Sequence, residues 1–249
     1  MRVGVAWVLM VGGWVVSIAA QLTGSAGLLH HHTLIEGGAP LWLAIPLFLI
    51  GWQVMIAAMM LPASIPAIRV GALATVPVRA GAWARGRADT TFIISFAAVW
   101  SVFGVLAFSG DFVLHHLVDA TPWLAARPWL IEGGVLLLAG GYQWTPIKRR
   151  CLELCRHPIE LLAMEGESGA GPVHLGIDHG LACLGSSWAL MLLTFAEGFA
   201  NLGWMAALTI VMVYEATGRH GNRAAIVAGL ALVLLGLPVL AGLASGGGA

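Results

Sequence analysis

Apolar residues run through this chain in long unbroken blocks. They show neither the period-two alternation of a barrel strand nor the narrow stripe of a surface helix. The blocks cover residues 3–20, 41–62, 91–109, 129–145, 181–197, 202–217 and 224–243. A helix needs about 20 apolar residues to cross the hydrocarbon core of a bilayer. An unpaired backbone amide in lipid costs several kcal/mol, so each block is predicted to be helical. The expected fold is all-α: a polytopic membrane helix bundle of about seven transmembrane helices, forming a single integral membrane domain over residues 1–249. The fifth and sixth blocks are short and joined by the tight turn Gly198-Phe199-Ala200-Asn201, so a re-entrant hairpin is the rival reading. The tail Ser245–Ala249 is expected to fray.

Charge orients the blocks. With the N-terminus inside, the inner side holds Arg2, Arg69, Arg79, Arg85, Arg87, Lys148, Arg149, Arg150, Arg156, Arg219 and Arg223, and only Arg127 of the twelve basic residues falls outside. Such bias marks the cytoplasmic face. The C-terminus is then outside, and residues 146–180 form the largest cytoplasmic loop, its first part expected to be a short interfacial helix. Paired glycines at 12–13, 133–134 and 140–141 permit close helix approach.

Composition removes whole classes of function. Hydrophobic residues make up 59% of the chain and charged ones 10%, against about 45–50% and 25% in soluble domains. A soluble enzyme and a disordered chain are excluded. The net charge of zero leaves no basic footprint for nucleic acid. Eleven Trp against two Tyr point mostly to anchors at the headgroup level.

Candidate chemistry falls into three groups. In the inner loop, Cys151 and Cys155 lie at i and i+4 if helical, as do His174 with Asp178 and His179 with Cys183. Thiolates and imidazoles suit zinc or Cu(I). Met55, Met59, Met60, Met191 and Met212 are soft donors inside the blocks and, with Glu197 and Glu215, trace a possible path; a carboxylate in lipid must face protein, water or an ion. On the outer side, His30, His31 and His32 in one loop and His115 and His116 in the next could capture metal. Packing alone also accounts for Met and Cys in apolar blocks, and outer histidines can simply be solvated.

Three segments carry a family likeness: Trp52 to Pro62; Gly140 to Lys148 with Cys151, Leu152, Cys155, Arg156 and Pro158; and His179 to Met191 continuing through Gly198, Asn201, Trp204, Met205 and Glu215. They resemble the prokaryotic domain-of-unknown-function family 2182, described as predicted metal-binding integral membrane proteins. The resemblance implies metal binding and a multi-pass protein of the prokaryotic cytoplasmic (inner) membrane. Where that family reads Cys-Leu-Gly-Cys-Cys-Trp, this chain has Ser186 and Ser187, two fewer thiolates, and Ala200 stands where Met is usual.

The leading expectation is a metal-handling membrane protein, copper first and zinc second. Its ion would be bound or translocated through a Cys/His/Met-lined site, with the bilayer and a metal chaperone or larger membrane complex as partners. The alternatives are an accessory subunit of a membrane enzyme complex and a membrane oxidoreductase with a bound cofactor.

Overall fold

The computed structural model describes residues 4–25, 40–77, 81–159, 171–197 and 201–243. No strand occurs among them. The helices are α1 (Gly4–Leu22), α2 (Leu41–Met59), α3 (Leu61–Thr75), α4 (Ala82–Ala120), the single turn α5 (Pro122–Ala125), α6 (Trp129–Tyr142), α7 (Pro146–Arg156), α8 (Pro172–Glu197), α9 (Leu202–Thr217) and α10 (Gly221–Leu240). Among the described residues, α1, α2, α4 and α10 are long and apolar enough to cross a membrane. Most of α3, and α6 and α9, are shorter apolar helices.

Three boundaries differ from the apolar blocks. Helix α4 runs 39 residues, roughly 58 Å at the standard helical rise, and so outruns a bilayer core. No proline interrupts it, and its few glycines each cost only about 1 kcal/mol. Its polar ends, including His115 and His116, are therefore helical rather than loops. Helix α8 starts at Pro172, because proline is well placed in a first turn, where its missing N–H costs nothing.

The third difference is a break at Met60. Pro62 has no N–H to offer the carbonyl of Ala58 one turn back. The Trp14 indole of α1 donates to that carbonyl instead, at 3.1 Å. An orphaned carbonyl in apolar surroundings is thereby avoided, and Met60 alone separates α2 from α3. Gly13 allows α1 this close: a Cβ there would lie 2.9 Å from the carbonyl oxygen of Val54.

Helix α10 packs along α6, α8 along α4, and α1 along α2. Gly133 and Gly140 lie against α10 with no room for a Cβ, whereas Gly12, Gly134 and Gly141 face open space. An aromatic cluster joins α2 to α4: Phe48 meets Phe108, and Trp52 meets Trp100 and Phe103. Trp52 and Trp100 are fully buried and are not headgroup anchors. Trp52 Nε1 donates to the Trp100 carbonyl at 2.8 Å, and Gln53 Nε2 to Ser101 Oγ at 2.8 Å. Trp42, Trp83 and Trp123 are exposed near helix ends, as anchors should be.

Helix α7 is capped by Thr145, whose hydroxyl accepts from the Lys148 backbone N–H at 3.2 Å. It ends at His157, before Pro158. Its buried residues are Lys148, Leu152 and Cys155, the i, i+4, i+7 face of an amphipathic helix.

Trp14→Phe is expected to cost about 1–2 kcal/mol by orphaning the Ala58 carbonyl. In a Pro62→Ala background, where residue 62 supplies its own N–H, the same change should cost clearly less. Unfolding of the single and double variants in detergent measures the difference, and equal costs in both backgrounds count against the substitution of indole for amide.

Candidate metal site

Four elements meet at Met60. The α2–α3 break supplies Met60, α7 supplies Leu152 and Cys155, α8 supplies His179, Cys183, Ser186 and Ser187, and α9 supplies Met212 and Glu215. Spacings of three and four residues put each set on one helix face. With Ala63 and Ala216 they enclose a cavity of about 20 Å³. A cavity needs about 10–15 Å³ to admit one water, so this one has the size for a single ion.

Four sulfurs line it, those of Met60, Cys155, Cys183 and Met212. Cys183 Sγ lies 3.9 Å from Met60 Sδ. Ser187 Oγ lies 3.8 Å from the same thioether, and Cys155 Sγ 3.8 Å from Ser186 Oγ. Both serine hydroxyls also donate to the Cys183 carbonyl, at 2.9 and 2.7 Å. His179 is 2% exposed. Its Nε2 is 3.1 Å from Ser64 Oγ, and its ring sits beside Phe92 and Phe96. Its Nδ1 has no hydrogen-bond partner among the described residues.

Lys148 and Glu215 close one side. They are 0% and 1% exposed, and Lys148 Nζ lies 2.6 Å from Glu215 Oε2. Glu215 Oε1 has no partner among the described residues. One turn beyond Leu152, Arg156 donates to the Gly218 carbonyl at 2.7 Å, so α7 is tied to the end of α9 at two points.

The candidates from sequence divide accordingly. Cys155, His179, Cys183, Met60, Met212 and Glu215 line the cavity. Cys151 does not; it is half-buried and rests on Gly185, where a Cβ would lie 2.5 Å from its sulfur. His174 is exposed and Asp178 half-buried, and neither lines the cavity. Met55, Met59 and Met191 are buried in the core outside it. Glu197 ends α8, with its side chain outside the described residues, as are His30, His31 and His32 entirely. His115 is half-buried, its Nδ1 2.9 Å from the Asp111 carbonyl. His116 is exposed and edge-on to Phe112.

Sequence reasoning misses Lys148 and the two serines as parts of the site. Charge placement makes Lys148 a surface anchor, although its register with Leu152 and Cys155 on α7 puts it on the buried face. Among the described residues no three His, Cys, Asp or Glu side chains group closely enough to hold a metal. A complete ligand set here must draw on the thioethers.

Both α7 thiols resist ionisation. The hydrogen bond shared with Cys183 raises the Cys155 thiol well above its ordinary value, and burial adds to this. Burial, and then the neighbouring Cys155, raise Cys151.

A family model described as PpoB2, copper chaperone, matches residues 49–239 of the chain. No curated protein and no solved structure matches it.

Lys148→Met leaves Glu215 buried without its partner and should cost about 3–5 kcal/mol. Adding Glu215→Leu should restore most of that loss in thermal unfolding, and a double variant no better than the single would contradict a paired burial. Because raised thiol values leave little thiolate at pH 7, iodoacetamide should label the native chain slowly, Cys151 first, with rates rising as pH rises toward the thiol values. Rapid labelling of Cys155 at pH 7, read by mass spectrometry, would contradict the buried, protonated state.

Proposed function

This chain belongs to the PpoB2 copper-chaperone family, and we propose that it holds one Cu(I) ion between Cys155, Cys183 and Met60 and hands it to a partner. Met212 and His179 flank the ion on this reading. The observation that carries it is the convergence of two thiols and a thioether, from three separate elements, on one ion-sized cavity.

The donor chemistry favours copper over zinc. Cu(I) is soft and accepts thiolate and thioether together. A structural zinc ion seeks four Cys, His or carboxylate ligands. His179 fits as a further ligand because its Nδ1 is buried and, among the described residues, unpartnered. Copper is the cargo here, so the residues of the cavity need only exclude water and hold a soft ion until it is exchanged. Met55, Met59 and Met191 lie in the core outside the cavity, which supports holding and delivery rather than a path across the bilayer.

The placement of basic residues supports a seven-span bundle in a prokaryotic inner membrane, with the N-terminus and α7 on the cytoplasmic side. On that reading the cavity lies toward the cytoplasm, beneath α7.

The detergent-purified chain should bind one Cu(I) under anaerobic competition with a chromophoric chelator, and X-ray absorption should report mainly sulfur neighbours. Cys155→Ser and Cys183→Ser should each abolish tight binding. Met60→Leu should weaken Cu(I) with little effect on any Zn(II) uptake. Because burial and the hydrogen bond with Cys183 raise the Cys155 thiol, loading in weak buffer should release at least one proton per copper, and affinity should rise with pH. Full Cu(I) stoichiometry in the Cys155→Ser/Cys183→Ser double variant would sink the assignment.

A further inference from the structure

Soft donors that could pass copper into the cavity from outside are scarce. Among the described residues, Met55, Met59, Met60, Met191, Met205, Met212, Cys155 and Cys183 are all buried. The half-buried sulfurs are Met10, far along α1, and Cys151. Cys151 precedes Cys155 by one helical turn, so the two thiols lie on neighbouring parts of one α7 face. Its sulfur nests on Gly185, next to Ser186, whose hydroxyl meets Cys155. Beyond Cys155 lie two buried polar atoms without partners among the described residues, His179 Nδ1 and Glu215 Oε1. Arg149 and Arg150 beside Cys151 are exposed. A Cu(I) ion carried by two thiolates has net negative charge, which such a basic approach attracts.

We propose that Cys151 is a relay thiol, distinct from the resident ligands, through which a thiolate-bound Cu(I) carrier loads and unloads the cavity; this rests on the Cu(I) reading above. In the first exchange a Cu–S bond to Cys151 forms while one of the carrier's two Cu–S bonds breaks, and the Cys151 proton goes to the departing carrier thiolate. In the second, a Cu–S bond to Cys155 forms while that to Cys151 breaks, and the Cys155 proton returns to Cys151. In the third, a Cu–S bond to Cys183 forms while the carrier's remaining Cu–S bond breaks, and the Cys183 proton goes to that second carrier thiolate. Copper stays Cu(I) throughout, and no electrons move.

The test measures rate and equilibrium separately on the full chain in detergent, with Cu(I)–glutathione as the probe. Cys151→Ser should keep one copper per chain at unchanged affinity, yet take it up roughly tenfold more slowly, since a hard hydroxyl is a poor Cu(I) ligand. Reversible blocking of Cys151 in the unsubstituted chain with methyl methanethiosulfonate should slow uptake, and removal by reductant should restore it. An unchanged rate in Cys151→Ser overturns the relay, and so does a slowed rate that deblocking does not reverse. Loss of stoichiometric copper in Cys151→Ser also overturns it, by making Cys151 a resident ligand. Retained copper in the Cys155→Ser/Cys183→Ser double variant is the separate signature that the underlying site is wrong.

Discussion

The ion pair between Lys148 and Glu215 is the contact on which the site depends. Either charge alone in an apolar bundle would cost several kcal/mol. Together, 2.6 Å apart, they are compensated, and the pairing fixes where α7 lies against α9. Cys155 is two turns further along the same face of α7, so its position over the cavity follows from the position of Lys148. Arg156, bonded to the Gly218 carbonyl, stops that end of α7 from lifting. These two ties fasten α7 to the end of α9, while its packing along α8 faces Cys155 toward Cys183.

The opposite wall rests on the same need to satisfy polar groups away from water. Pro62 removes a helical hydrogen bond, and the Trp14 indole replaces it across the α1–α2 interface. Met60 stands at the junction of α2 and α3, two residues before Pro62, and its thioether lies 3.9 Å from Cys183 Sγ.

Hydroxyls at 186 and 187 shape what the cavity can hold. Both serines bond back to the Cys183 carbonyl, which anchors them while they line the space beside Cys155 and Met60. Two thiols and two thioethers remain, with His179 and Glu215 in the same lining. Among the described residues no three Cys, His or carboxylate side chains group closely enough to hold a metal, so the thioethers, soft donors that suit Cu(I), complete any such set, in keeping with membership of a copper-chaperone family.

Much is legible in the chain because apolar length and helical spacing are local properties. The apolar blocks locate α1, α2, α6, α9 and α10 to within a few residues, and the short helix expected early in the 146–180 loop is α7, which carries Cys151 and Cys155 at i and i+4. Spacing along one helix cannot say which face meets another. His174 and Asp178 share a register with each other but not with Cys183, and so fall outside the cavity; Cys151 stops one turn short of it. Hydropathy makes Lys148 a surface anchor, because its burial depends on a carboxylate 67 residues away. The sequence by itself determined an all-α class, about seven apolar blocks and a short inventory of soft donors; among the described residues, four helices are long and apolar enough to cross a membrane. Tertiary structure alone decided which of those donors meet, because convergence is set by long-range pairings, Lys148 with Glu215 and Trp14 with the Ala58 carbonyl, that no local pattern encodes.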